Sequence, residues 1–134
     1  MTEHQIALAR RAVAAPGWRR LHGMRFLRPD GSYPLRMVGE GCYAHEGETG
    51  ISIPAATDLL PSDLPDLSDP LTALGLLALV RERWGPMSCV VWDRDRKMWA
   101  VYSHMAMMVE EVWQPVAVGA TEVEALVVAL EVAP

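Results

Sequence analysis

The stretch LTALGLLALVRERW, residues 71–84, is apolar on every face of a helix until arginine appears near its end. A helix with this pattern must be covered by protein on several sides, because any face left in water would expose leucine or valine. Asp69 and Pro70 precede it as an N-cap carboxylate and a favoured first helical residue, and Gly85-Pro86 follow it as a stop signal. We therefore predict a central core helix around which the fold is built.

The first part of the chain predicts one helix and several short strands. Residues 3–14 place apolar side chains at helical spacing, and Pro16-Gly17 end that helix. MRFLRP and YPLRMV flank Pro29-Asp30-Gly31, a turn signal between two apolar runs, and TGISIP follows as a further strand. Residues 42–50, CYAHEGETG, are polar and punctuated by glycine, and we interpret them as a loop or an irregular edge strand.

The last part predicts strands followed by a closing helix. MSCVVW and MWAVYS carry apolar residues on both faces, which predicts two inner strands joined by the charged turn 93–97. Residues 105–113 are ambiguous and are interpreted as loop and strand, and QPVAVGA is predicted to be the last strand. Thr121 and Glu124 have the spacing of a capping box. The helix that they open should bury Val123, Leu126, Val127 and Leu130.

Together these patterns predict an α/β fold of the α+β kind, a mainly antiparallel sheet of about four to six strands sandwiched by about three helices. At 134 residues and 51% apolar, the chain fits a single domain, residues 1–134. Within it we distinguish an arginine-rich helix and hairpin over 1–53, a connector of proline, aspartate and leucine over 54–69, and a helix-strand-strand-strand-helix region over 70–134.

Charge is divided unevenly along the chain. Residues 1–36 hold seven arginines and two acidic residues, a net charge of +5, whereas the remainder holds five basic and fifteen acidic residues, a net charge of −10. Such asymmetry is found in chains that contact nucleic acid or acidic proteins, and the alternative is that the two parts neutralise each other in the fold. The candidate phosphate- or carboxylate-binding group combines an aromatic face with forked donors: Trp18, Arg19, Arg20, Arg25 and Arg28. Its alternative role has Trp18 in the core and the arginines paired with connector aspartates.

Tryptophan and methionine supply a second candidate surface. The chain has five tryptophans and eight methionines, residue types that are enriched at interfaces and in cores alike. We place Trp84, Trp92 and Trp99 on a buried helix end and inner strands. The remaining group is the candidate for a partner or homodimer surface: Met105, Met107, Met108 and Trp113.

No strong metal or catalytic pattern is present in the sequence. Cys42, His45, Glu46 and Glu48 could supply ligands, but a zinc site needs a second ligand pair, and a polar surface loop is the simpler interpretation. Asp93 and Asp95 have a cation-binding spacing, yet the basic residues among them favour a self-neutralised turn. Because nucleophile motifs and a phosphate-binding loop are missing too, we predict no cofactor, no metal and no enzyme activity.

A resemblance to known proteins rests on three segments, DPLTALGLLALVRERWG, VGATEVEALVVALEVAP and ALARRAVAAPGWRRLHGM. They resemble small uncharacterised proteins of tailed phages and prophages, and their order is similar to that of the phage domain family named for an α-β-α sandwich. The resemblance implies a phage setting, and it brings no active site with it.

These observations lead to three functional hypotheses. The first is a non-enzymatic phage accessory protein that binds a host protein or nucleoprotein complex, with inhibition of a defence system such as CRISPR as its sharpest version. The second is direct nucleic-acid binding by the N-terminal arginines, and the third is a small metal-dependent hydrolase or nuclease using residues 42–50. Since no export signal or membrane-length apolar run is visible, we expect a protein of the host cytoplasm, with no membrane partner and with Cys42 and Cys89 as free thiols.

Overall fold

The computed structural model describes residues 1–32, 34–39, 42–46, 52–55, 60–103 and 114–134, and of residues 42–46 and 52–55 it describes the backbone only. In this part of the chain all paired strands are antiparallel. The predicted α+β class is thereby confirmed. In chain order the elements are α1 (Glu3–Ala14), β1 (Arg25–Leu27), β2 (Leu35–Gly39), β3 (Cys42–Glu46), β4 (Ser52–Ala55), β5 (Leu64–Pro65), α2 (Pro70–Trp84), β6 (Cys89–Asp93), β7 (Met98–Tyr102), β8 (Ala117–Gly119) and α3 (Glu122–Glu131).

The strands of the described ranges form two sheets, where the sequence predicted one. The first has five strands in the order β4-β3-β2-β1-β5, and the second has three in the order β6-β7-β8. The chain likewise divides into two compact units, an N-terminal unit of residues 1–13 and 19–75 and a C-terminal unit of residues 14–18 and 76–134. The boundary between them falls inside α2. The single domain that the chain length suggests stays a prediction.

The N-terminal hairpin forms where the turn signal placed it. Strand β1 pairs with β2, with Phe26 opposite Leu35, and both side chains are buried. In the turn, the N–H of Gly31 donates to the carbonyl oxygen of Arg28 at 2.8 Å, and the φ of Gly31 is +81°. Since side-chain-bearing residues rarely adopt that angle, glycine fixes the turn at this position.

Strand β3 corrects the interpretation of residues 42–50. Cys42–Glu46 is neither a loop nor an edge strand, because β2 pairs with it on one side and β4 on the other. The pairing is irregular between Met37 and Gly39 of β2, where the register shifts. Polar composition misled the sequence interpretation, since a strand can be held by main-chain bonds to two neighbours whatever its side chains are.

The connector is fixed to the N-terminal sheet by a short strand. In β5, Leu64 pairs with Leu27 and Pro65 with Phe26 of β1. Leu64 and Leu67 are buried, as expected of leucines that pin an extended segment, whereas Leu60 is exposed. The described residues 60–69 of the connector are therefore structured, as the sequence predicted.

Helices α1 and α2 begin and end as their local signals predict. In α1 the buried residues are Leu8, Ala9 and Ala12, while Val13, predicted to lie on the apolar face, is exposed. Helix α2 starts at Pro70 after Asp69, whose carboxylate accepts the N–H of Thr72 at 2.9 Å. At the other end, the N–H of Gly85 closes the helix on the carbonyl oxygen of Arg81 at 2.9 Å.

Helix α2 is not covered on every side. Leu76, Leu79 and Val80 are fully buried, but Leu71 and Leu74 are exposed, Leu74 by 59%. In the first turn of α2, the contact with β1 is polar, since the Thr72 hydroxyl accepts the N–H of Arg25 at 2.9 Å. The expectation of an all-round buried helix is thus wrong for its first turns, because apolar composition does not say which faces have neighbours.

The C-terminal unit packs α3 against β8 and also against β7 and β6. The buried face of α3 includes Leu126, Val127 and Leu130 as predicted, together with Ala125 and Ala129, while Val123 is half-buried. One half of the capping box is observed, since Thr121 Oγ1 accepts the N–H of Glu124 at 3.1 Å, while a Glu124 carboxylate oxygen accepts the N–H of Ala120, one residue before the N-cap, at 2.9 Å. The end of α2 is tied to α3 by the Trp84 indole N–H, which donates to the Ala129 carbonyl oxygen at 2.8 Å.

Strand β6 also departs from the prediction. The sequence placed β6 and β7 together inside a sheet, but β7 is the central strand and β6 lies at the edge. Accordingly, Ala100 and Val101 of β7 are buried, whereas Val91 and Trp92 of β6 are exposed. A run that is apolar on both faces thus fits an edge strand as well as an inner one.

None of the helices in the described ranges combines the length and the apolar character needed to cross a bilayer.

Candidate functional site

Two of the N-terminal arginines, one of them a member of the predicted group, form ion pairs within the N-terminal unit. Arg25 Nη1 lies 3.1 Å from a carboxylate oxygen of Asp66, and Arg36 Nη2 lies 3.0 Å from one of Asp69. Both carboxylates belong to the connector and are more than nine-tenths buried. These pairs are the intramolecular alternative for the charge asymmetry, and Arg25 forms one of them.

The other members of that group do not share one environment. Arg19 and Arg20 are exposed, and the Arg20 guanidinium lies over the Phe26 ring, 5.8 Å from its centroid. Arg28 is half-buried. Trp18 is also half-buried and belongs to the C-terminal unit, where its main-chain N–H donates to the Ala15 carbonyl oxygen at 3.1 Å. Within the N-terminal unit, Arg25 and Arg28 are therefore less exposed than Arg19 and Arg20.

The second predicted surface, Met105, Met107, Met108 and Trp113, lies outside the described residues. Glu48 of the metal hypothesis lies outside them as well, and of Cys42, His45 and Glu46 the structure describes only the backbone. Within the described residues, no group of three acidic, histidine or cysteine side chains could hold a metal ion. Cys89 is a free thiol, as predicted.

The Asp93–Lys97 turn is an internal hydrogen-bond network. One carboxylate oxygen of Asp93 accepts the N–H groups of Asp95 and Arg96, each at 3.0 Å. The other accepts the Arg96 guanidinium at 2.7 Å and the Tyr102 hydroxyl at 3.1 Å. The hydrogen bonds from the Arg96 N–H and guanidinium lower the pKa of Asp93 to about 2. This geometry confirms the self-neutralised turn and leaves Asp93 committed to the hairpin.

Tyr102 belongs to the same hydrogen-bond network, and its pKa is shifted in the opposite direction. Burial, together with its hydrogen bond to Asp93, raises the pKa of the Tyr102 hydroxyl. The phenol therefore stays protonated and continues to donate across the physiological pH range. It joins the end of β7 to the end of β6.

The exposed apolar side chains of the C-terminal sheet concentrate at β6. We call Met87, Val91 and Trp92 the β6 edge; they are 64%, 42% and 48% exposed. The Trp92 ring meets Trp99 of β7 edge to face, with centroids 6.0 Å apart. Contact with Trp99 thus fixes the orientation of the exposed Trp92 ring, so that the ring loses little conformational entropy when a partner binds.

Sequence reasoning missed this site because it predicted Trp92 to be buried. Alternation cannot tell an edge strand from an inner one, since both present apolar residues on two faces. The signal that could have found the site is the uncharged run Cys89–Trp92, bounded on one side by the charged turn. Such a run at an edge lacks the charges that commonly protect exposed strands.

Comparisons with known proteins add no relative to this picture. No protein-family model matches the chain, and no curated protein or solved structure was found to be similar to it. The phage setting thus stays a prediction from sequence patterns. The site has to be interpreted from its own geometry.

Proposed function

We propose that this chain acts by binding a protein of a bacterial host cell, and that the β6 edge is the contact surface. The observation that carries the proposal is Trp92, a large aromatic side chain that is 48% exposed on an edge strand and oriented by Trp99. Tryptophan is enriched among the residues that contribute most to protein interfaces, and a rigid ring loses little entropy on binding.

The phage-like segments of the sequence set the biological context of the proposal. In that context the partner is a host protein or nucleoprotein complex of the cytoplasm, and a component of a defence system such as CRISPR is its sharpest version. The ion pair Arg25–Asp66 favours this hypothesis over nucleic-acid binding, because it occupies one of the four arginines that were predicted to recognise phosphate.

Affinity capture from bacterial lysate tests the proposal. The immobilised chain is compared with Trp92→Gln and with Leu74→Gln, a control at an exposed leucine of α2 in the N-terminal unit. We expect a stoichiometric protein partner on the unsubstituted chain and on Leu74→Gln, and its loss from Trp92→Gln, with the same result after nuclease treatment. Circular dichroism verifies that both variants keep their fold.

Two outcomes would contradict the proposal. Equal capture by all three proteins would show that the β6 edge is not the contact. Loss of the captured material after nuclease treatment would instead favour nucleic acid as the ligand and would return attention to the exposed Arg19 and Arg20.

A further inference from the structure

The free side of β6 can accept another strand. Five regular pairs, without a bulge, join Cys89–Asp93 to β7. Among the described residues, no strand pairs with the opposite side of β6. A row of outward N–H and C=O groups is the feature that recruits an extended segment in strand addition.

The side chains of β6 define the middle of the segment that would fit. Val91 and Trp92 are consecutive and so project from opposite faces of the strand, and both are more than two-fifths exposed. An added strand would cover each of them with its own side chains. Apolar or β-branched residues in the middle of that strand would remove most apolar surface from water.

The charges around β6 define the ends of that segment. Arg81 is exposed beside the start of the strand, with its Nε donating to the Ser88 carbonyl oxygen at 3.1 Å. At the other end Arg94 and Lys97 are exposed, while Arg96 is held by Asp93. Residues 81–97 hold five basic and three acidic side chains in a chain whose net charge is −5. Basic side chains therefore outnumber acidic ones around the strand.

This charge distribution disfavours a second copy of the chain as the occupant. Antiparallel pairing of two β6 strands would bring Arg94 and Lys97 of one copy next to Arg81 of the other. Like charges placed together weaken association, whereas carboxylates at these positions would strengthen and steer it.

We propose that β6 binds, as an added fourth strand, an extended segment of a partner protein that is apolar in its middle and acidic at both ends. This inference rests on the proposed function and specifies the chemistry of the partner. It assigns Trp92 and Val91 to apolar contact, the main chain of Cys89–Asp93 to strand pairing, and Arg81, Arg94 and Lys97 to charge recognition.

A synthetic peptide titrated into the ¹⁵N-labelled full chain tests the inference. The probe is a capped peptide of about seven residues, with alternating valine and threonine between glutamate pairs. Two matched peptides accompany it, one with lysine in place of glutamate and one with N-methylated central residues that cannot pair as a strand. We expect amide shifts centred on Cys89–Asp93, affinity at least about tenfold lower for the lysine peptide, and no binding of the N-methylated one.

Variants separate charge recognition from general electrostatics. Arg94→Gln should lower the affinity for the glutamate peptide several-fold, and Arg10→Gln, at an exposed arginine of α1, should leave it unchanged. Equal binding of the glutamate and lysine peptides, shifts away from β6, or no binding at millimolar peptide would overturn the inference. Concentration-dependent shifts of the β6 amides without peptide would overturn it in favour of a second copy.

These failures can be told apart from failure of the proposed function. If the peptide does not bind while lysate capture still requires Trp92, strand addition is wrong and the contact surface stands. If capture does not depend on Trp92, the contact surface itself is wrong, whatever the peptide does.

Discussion

Gly119 is a position in the C-terminal unit where a side chain would collide with backbone atoms. A Cβ atom placed there would lie 2.4 Å from the backbone nitrogen of Ala125 and 3.0 Å from its Cα. Because backbone atoms of β8 and α3 are involved, rotation of a side chain cannot relieve the contact. Glycine at this position lets the closing helix approach the sheet.

Replacing Gly119 by alanine should therefore destabilise the chain by about 2 kcal/mol or more, because the added methyl group forces β8 and α3 apart. Urea denaturation at neutral pH measures the change. Gly75→Ala is the matched control: its Cβ would meet the terminal methyl group of Met24 at 2.5 Å, which can move, and alanine also favours the helix. A Gly119→Ala chain as stable as the unsubstituted one would contradict the packing described here.

Asp69 combines two roles at one carboxylate. It accepts the N–H of Thr72 at the start of α2 and pairs with Arg36 on β2. Burial by itself raises the pKa of Asp69, but the hydrogen bonds from Arg36 and Thr72 outweigh it, and the pKa lies below its ordinary value. The folded chain therefore favours the charged form.

Asp69→Asn separates these roles, because asparagine caps a helix nearly as well as aspartate but carries no charge. We expect the free energy of unfolding to fall by about 2 kcal/mol at pH 7, since the half-buried Arg36 guanidinium would lose its ion pair with the buried Asp69 carboxylate. A carboxyl group whose pKa is lower in the folded chain than in the unfolded chain stabilises the fold at pH values above its unfolded-state pKa. The difference in the free energy of unfolding between Asp69→Asn and the unsubstituted chain should therefore narrow as the pH falls below about 4. Urea denaturation at several pH values measures it, and a difference independent of pH would contradict the ion pair.

At the scale of elements, the β6–β7 hairpin owes its shape to one side chain. Asp93 binds two N–H groups of the turn, the Arg96 guanidinium and the Tyr102 hydroxyl. Lys97 in the same turn has a φ of +52°, an angle that side-chain-bearing residues rarely adopt. The hydrogen bonds of Asp93 hold the turn that contains this residue, and so they fix the register that places Trp92 beside Trp99.

Asp93→Asn should weaken the hairpin at neutral pH, with thermal unfolding and amide exchange of β6 as measurements. Because the pKa of Asp93 in the folded chain is about 2, the stabilisation is present at neutral pH and should be lost between about pH 4 and pH 2. Asp95→Asn is the control, since its exposed carboxylate is outside the Asp93 network. Identical acid profiles for the Asp93→Asn variant and the unsubstituted chain would argue against this role.

The sequence predicted helices better than strand neighbours, for a physical reason. Asp69-Pro70, Gly85, and Thr121 with Glu124 act within a few residues of the helix ends that they define, so their effect can be inferred locally. The neighbours of β3 and β6 depend on pairing between separate segments. The polar composition of residues 42–50 therefore suggested a loop or an edge strand, although β3 is an inner strand. The apolar run of β6 suggested an inner strand, although β6 lies at the edge of its sheet.

At the scale of the whole molecule, the division of charge is partly neutralised within the fold. Arg25–Asp66 and Arg36–Asp69 both join the arginine-rich first part to the acidic connector inside the N-terminal unit. Sequence analysis raised this pairing as one alternative, but could not choose between it and an external ligand, because the choice depends on which side chains meet. The candidate site was missed for the same reason: the exposure of Trp92 follows from its place in the sheet.

Site-specific photo-crosslinking in bacterial cells tests whether the β6 edge contacts a partner protein. A photoreactive amino acid replaces Val91 in one variant and Leu74 in the other, both exposed positions in the unsubstituted chain. The account predicts a discrete protein adduct from position 91 that is absent from position 74. Adducts from position 74 with none from position 91, or adducts to nucleic acid from position 91, would contradict it.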